Sequence, residues 1–268
     1  MNSQLKSRIT GAFGVLATIG VWWLLAATVF SQVGARPDGS GGAIPTPLQV
    51  VEQFIVDGFD FYARNGGVTI VEALLGFLWG NLIALGLAAI SLTLPKLDNI
   101  AAQIAIISYL VPIVAIGPIV RLIVGAPGPG EPAGAAVVLA ALSVLFTTYI
   151  GAVTGVKSTD KRIMDVVSAY GGNSIDKLLK VQLLSALPSV FAAFKIAAPA
   201  AFLGAILGEY VGGTDMGFGP AMVNAQQSLE VARVWGVALV SGLIAGAGYW
   251  LFGILGKVLT PWAKVAVK

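Results

Sequence analysis

Six stretches of this chain are each long and apolar enough to cross a bilayer as a helix: Gly11 to Phe30, Gly67 to Leu92, Ile100 to Val124, Gly134 to Val156, Ser189 to Val211 and Val234 to Leu255. A bilayer core takes about 20 mostly apolar residues as helix, and a lone strand there would leave its backbone polar groups unsatisfied. Charged residues make up 11% of the 268 residues, against roughly 25% in an ordinary soluble domain, and 57% are hydrophobic. The expected fold is an all-α membrane protein of about six transmembrane helices. Met1 to Thr10 leads into the first apolar run without a small-residue cleavage site, so that run reads as a retained span rather than a signal peptide.

An even number of spans puts both termini on one side, and basic residues choose the side. Lys6, Arg8, Lys96, Lys157, Lys161, Arg162, Lys177, Lys180, Lys257, Lys264 and Lys268 fall on one face, and only Arg36, Arg64, Arg121 and Arg233 on the other. That bias places both termini in the cytoplasm. The first outer loop opens with a Gly- and Pro-rich tract, RPDGSGGAIPTP, and continues as an amphipathic piece with Leu48, Val51, Phe54 and Ile55 on one face, expected as a short helix on the outer surface. The chain contains neither cysteine nor histidine, which excludes disulfides, thiolate and imidazole metal sites and Ser-His-Asp triads. A net charge of +3 is too small to point to nucleic acid. With no tandem repeat or soluble segment, residues 1–268 read as one membrane domain, with 1–66 as first span and outer loop and 67–268 as the core.

The one long polar stretch between spans is Lys157 to Pro188, KSTDKRIMDVVSAYGGNSIDKLLKVQLLSALP, on the cytoplasmic side. Apolar residues recur at helical spacing in two sets, Ile163, Val166, Val167 and Tyr170, then Ile175, Leu178 and Leu179. The Gly171-Gly172 pair separates them, which predicts a bent pair of short helices that docks a partner. A nucleotide site is not found. Gly151-Ala-Val-Thr-Gly155-Val-Lys157-Ser158 has three residues between its glycines where a phosphate loop has four, and Val156 in place of the second glycine.

From Asp165 the segment runs acid, Val166-Val167, three spacers, Gly171, nine spacers, Val181, then Leu183-Leu184, with Leu187-Pro188 beyond. It resembles the EAA loop of ABC importer permeases, departing in residue type at Asp165, Val166, Val167, Val181 and Leu184 but not in spacing. Ile44-Pro45-Thr46-Pro47, Gly76-Phe77, Val111-Pro112, Gly117-Pro118 and Gly217-Phe218-Gly219 resemble, in order, motifs of the nitrate/sulfonate/taurine branch of those permeases. The resemblance implies a type I ABC importer permease fold in which residues 158–187 form the cytoplasmic coupling helix. The coupling contacts would be carried by Asp165, Val166, Ala169, Tyr170, Gly171, Gly172, Asn173 and Ser174. It further implies P-loop ATPase subunits that hold ATP and Mg, an extracytoplasmic solute-binding protein, a second permease copy or paralogue, and a bacterial inner-membrane location. The chain itself would hold no cofactor or metal and catalyse no reaction. Relatives in the branch carry sulfonates, taurine, nitrate, thiamine-type pyrimidines or riboflavin, so a small polar or anionic solute is expected.

Candidate pathway residues are Pro112 and Pro118, which bend or break the third span, and Glu209, Gly217 and Phe218 near the outer end of the fifth span and the segment after it. Met216 to Pro220 reads equally as a re-entrant loop or a surface turn. Glu72 stands where the branch usually carries Arg, and is expected to reach water at the outer surface, to pair with a partner such as Arg121, or to serve the pathway. Glu209 is expected either to reach water at its helix end or to line the outer mouth of the pathway. Lys195 is expected to snorkel, and Trp22, Trp23, Trp79, Trp235, Trp250 and Trp262 to anchor span ends. A gradient-driven transporter or channel is the alternative, and a membrane scaffold a third, but the scarcity of ionisable residues in the spans weighs against proton coupling.

Overall fold

The computed structural model describes residues 3–34, 42–128 and 131–265, and among these every regular element is helical. In chain order they are α1 (Ser3–Ala27), α2 (Pro47–Thr93), α3 (Asp98–Leu110), α4 (Ile113–Val124), α5 (Gly134–Lys157), α6 (Lys161–Ala169), α7 (Ser174–Lys177), α8 (Leu183–Gly212), α9 (Phe218–Gln227) and α10 (Val231–Leu259). The outer tract from Arg36 to Gly41 lies outside the described residues. Among the described residues five helices are long and apolar enough to span, or six spans if the bent pair around Pro112 counts as one.

That pair is the third span, broken at a proline as expected: the segments Pro95–Leu110 and Ile113–Val124 meet at 102°. Pro112 sits at the break in extended conformation, because it has no N–H to give the helix ladder and pushes Val111 out of the helical region. Pro118 lies inside α4 without ending it.

The chain divides into two compact units. In the larger, Gly66–Pro220 with Gly242–Lys268, α5 is the most buried span, half of its apolar window lying inside the protein. Glycines spaced four apart let helices close on it. Gly76 and Gly80 of α2 lie against Ala140, Ala141 and Val144, and Gly204 and Gly208 of α8 against Ala136, Leu139 and Ala140. Gly151 and Gly155 of α5 in turn receive Ala186, Ser189 and Ala193 of α8. In lipid, where tails are as apolar as leucine, such close approach and the dispersion contacts it permits are what drive helix association. Polar side chains of α2 and α5 pair inside the protein: Thr148 Oγ1 donates to Asn81 Oδ1 at 2.5 Å, and Tyr149 to Ser91 at 3.1 Å. Ser91 in turn donates to Asp98, which also meets Lys157 at 3.6 Å.

The smaller unit, Met1–Asn65 with Ala221–Ser241, contains the amphipathic outer piece. It is a helix in its own right, the part of α2 before Gly58, whose non-helical backbone (φ 72°, ψ 163°) separates it from the span that follows. Phe54 leaves the expected apolar face and packs on Tyr62 with ring centroids 4.9 Å apart, while Leu48, Val51 and Ile55 stay exposed. Beside the break the buried Asp57 accepts from Arg233, Gln53 and Tyr62, and Arg233 also pairs with Glu230. Trp22 stacks on Trp235 at 5.4 Å, and their indole N–H groups donate to the carbonyls of Pro45 and Ala43.

Candidate functional site

The polar segment between α5 and α8 folds into a built elbow. Asp160 caps α6, its carboxylate accepting from the Arg162 N–H at 2.8 Å. At the other end of α6 the N–H of Gly171 reaches Ser168 O at 3.0 Å and that of Gly172 reaches Val167 O at 2.9 Å, the two bonds of a Schellman ending. Such an ending requires a left-handed residue, and Gly171 supplies it with φ 79°. Gly172 is needed for space: a Cβ there would strike the Cγ1 and carbonyl of Val167. The next residue starts a new helix at once. Asn173 Oδ1 accepts from Asp176 N at 2.9 Å and Asp176 Oδ2 accepts from Asn173 N at 3.1 Å, a reciprocal capping box. A helix stop and a helix start stand back to back, so the turn is defined by backbone bonds on both sides.

The second arm differs from the expected short helix. α7 runs through a wide turn at Leu178–Gln182 directly into α8, forming one apolar helix from Ser174 to Gly212. Any displacement of the elbow is therefore a displacement of the start of a span. On the first arm Ile163, Val166 and Tyr170, spaced three and four apart on one face, are exposed, Tyr170 to 89%. Met164 and Val167 are half-buried, and Asp165, Ala169, Asn173 and Ser174 lie at the surface beside the apolar stripe.

At the far end of α8 the pathway candidates part into two groups. Glu209, Gly217 and Phe218 come together, whereas Pro112, at the break before α4, and Pro118 of α4 lie outside that cluster at exposed positions. Glu209 is 1% exposed and its Oε2 accepts from Gly219 N at 2.6 Å, at the first turn of α9. Thr69 Oγ1 accepts from Phe218 N at 3.0 Å, and the Phe218 ring is fully buried against Phe202. Glu72 is also 1% exposed and accepts from Ala133 N at 2.6 Å, at the start of α5. Both acids thus satisfy N–H groups that a helix start leaves orphaned, where the helix dipole favours an anion. The two carboxyl groups face each other, with the Thr69 hydroxyl on Glu209.

This corrects the expectation that either residue reaches water and, for Glu72, that of an ion pair with Arg121. Neither reaches water, and among the described residues Glu72 makes no ion pair with Arg121. Burial against α5 and α9 keeps them from the surface. Gly217 (φ 124°) lies so close that a Cβ would come 2.5 Å from the Glu209 carboxyl, and from Gly217 to Pro220 the chain is buried as it enters α9, while Met216 stays exposed. The described residues contain no group of three or more acidic side chains arranged to hold a metal ion.

Comparison with known proteins agrees with this architecture. A probable ABC transporter permease protein of Haemophilus influenzae is 25% identical over 236 residues, covering 88% of this chain and 91% of that protein. A riboflavin transport system permease protein of Chloroflexus aurantiacus is 28% identical over 248 residues, covering 89% and 88%. Among solved structures, a chain of the MetNI methionine ABC transporter in an inward-facing conformation superposes with a TM-score of 0.61 at 17% identity, over 76% of this chain and 96% of that one. The profile described as binding-protein-dependent transport system inner membrane component matches residues 68–265. The chain belongs to that family: it is a multi-pass permease subunit of an ABC importer, with the helical fold of the type I importer permeases.

Proposed function

We propose that the chain forms half of a translocation pathway in the bacterial inner membrane, with both termini cytoplasmic. The whole chain acts as a single permease domain whose segment 158–187 seats in a groove of a P-loop ATPase. Two copies, or this chain and a paralogue, pair with two ATPase subunits, and an extracytoplasmic binding protein delivers a small polar or anionic solute to the outer face. ATP and Mg belong to the ATPase, and this chain hydrolyses nothing. Closure of the ATPase pair pushes the elbow, and because α7 is continuous with α8 the push tilts a span and alternates access.

The observation that carries this reading is the exposed stripe of Ile163, Val166 and Tyr170 on a helix whose two ends are both locked by caps. A rigid, exposed apolar face in water calls for a partner. In keeping with the reading, Asp165, Ala169, Gly171, Gly172, Asn173 and Ser174 surround that face as coupling residues. Pro112, Pro118, Glu209, Gly217 and Phe218 are proposed as pathway elements, the prolines through the break in the third span and the others by holding the start of α9. The riboflavin relative supports a polar solute without naming the one carried here.

The test is reconstitution. Proteoliposomes with this chain, its ATPase and its binding protein are expected to accumulate solute only with ATP. Uptake by this chain alone, driven by an ion gradient, would establish the secondary-transporter alternative instead.

A further inference from the structure

A cleft of about 270 Å³ opens between α8 and α10 at the end where the basic loops lie. One wall is Pro188, Phe191 and Lys195 of α8, spaced three and four apart. The other is the matching stripe of α10 with Phe252, Gly253, Gly256 and Lys257. Gly253 and Gly256 make the room: a Cβ at Gly253 would meet Lys195 Cε at 3.4 Å, and one at Gly256 would meet Phe191 Cβ at 3.1 Å. Lys195 is held by its stem, its Nζ lying 4.2 Å from the centre of the Tyr249 ring.

Neither Lys195 nor Lys257 has an acidic partner among the described residues, and no acid lines the cleft. The apolar window of α10 is only 6% buried inside the protein, which leaves most of that helix uncovered by the rest of the chain. A cation within a membrane span is costly unless an anion or water meets it. Lys195 within the span and Lys257 at its end, in a cleft walled by phenylalanines, match an amphiphile with an anionic head and an apolar tail. We propose that this cleft binds an anionic phospholipid, its headgroup phosphate between Lys195 and Lys257 and an acyl chain along Phe191, Phe252 and the glycine strip.

The site lies apart from the elbow and from the Glu72–Glu209 cluster, and it holds whether or not the ATPase assignment does. The experiment titrates the purified full chain in neutral detergent with phosphatidylglycerol or phosphatidylcholine and counts bound lipid by native mass spectrometry. At roughly fivefold per lysine near the surface, the wild type should bind phosphatidylglycerol on the order of 10- to 30-fold more tightly than phosphatidylcholine. Lys195→Gln with Lys257→Gln should bring the two within about twofold, and Gly253→Leu, which fills the cleft and keeps both cations, should weaken phosphatidylglycerol as well. Lys96→Gln, a cation outside the cleft, should leave the preference intact. Equal affinity of the wild type for the two lipids would overturn the proposal without recourse to any variant. So would displacement of the lipid by inorganic phosphate, or a preference that survives loss of both lysines.

Discussion

The two glycines of the elbow are expected to fail for different physical reasons, and the difference can be measured. Gly171 has φ 79° with nothing within 4 Å of its would-be Cβ, so a side chain there meets no neighbour and pays only for its backbone conformation. That cost is about 1–2 kcal/mol for an ordinary L-residue, and more for a β-branched one. At 1.4 kcal/mol per tenfold it depopulates the elbow by roughly 5- to 30-fold. Asparagine tolerates the left-handed region, so Gly171→Asn should recover most of what Gly171→Val loses. Gly172 has no such φ, but its Cβ would lie 2.8 Å from the Val167 carbonyl oxygen and closer still to Cγ1. Gly172→Ala should therefore be harmful although alanine is otherwise mild, and Val167→Ala should rescue it in part by removing the methyl while the carbonyl remains. The assay is binding-protein-stimulated ATPase activity of the assembled transporter in nanodiscs, with assembly checked by size exclusion. Wild-type stimulation in Gly171→Val would refute the reasoning, and so would a Gly171→Asn variant as impaired as Gly171→Val, because φ would then not be the cause.

Tyr170→Ala with Val166→Asp removes the exposed apolar stripe, and should abolish copurification with the ATPase while membrane insertion, followed by fractionation, is unchanged. Glu209→Gln keeps an acceptor for the Gly219 N–H and should melt near wild type, whereas Glu209→Ala leaves that buried donor unpaired and should cost about 1–3 kcal/mol in detergent unfolding; equal loss in both would deny the capping role. Arg233→Ala strands the buried Asp57 and should destabilise by about 3–5 kcal/mol, with the double change Arg233→Ala, Asp57→Asn regaining much of it in a thermal melt.

Much of this protein is determined one residue at a time by the cost of backbone polar groups in lipid, and that part needs no tertiary information. Runs of about 20 apolar residues must be helices there, so the spans within α1, α5, α8 and α10 are legible, α5 nearly to the residue, while α1 and α8 begin earlier than the apolar runs they contain. Local chemistry also placed the elbow, because a Gly-Gly pair followed by Asn and, three residues on, Asp can close one helix and open another without help from elsewhere. The glycine pairs at 76/80, 151/155 and 204/208 were equally present as a signal for close helix contact, though not for which helix would fill them.

What the third dimension decided is every property that depends on a neighbour distant in the chain. Glu72 and Glu209 stand 137 positions apart and each looks, alone, like an acid near a span end. They are buried face to face because α5 and α9 begin beside them and offer unpaired N–H groups, which no local pattern announces. Phe54 turned inward because Tyr62 lies past a glycine break, and Lys195 and Lys257 share one cleft only because α8 and α10 pack in a particular register. Hydropathy is a sum over a window and survives ignorance of packing. The environment of a single polar side chain is a sum over neighbours in space, and it comes into being only when the helices meet.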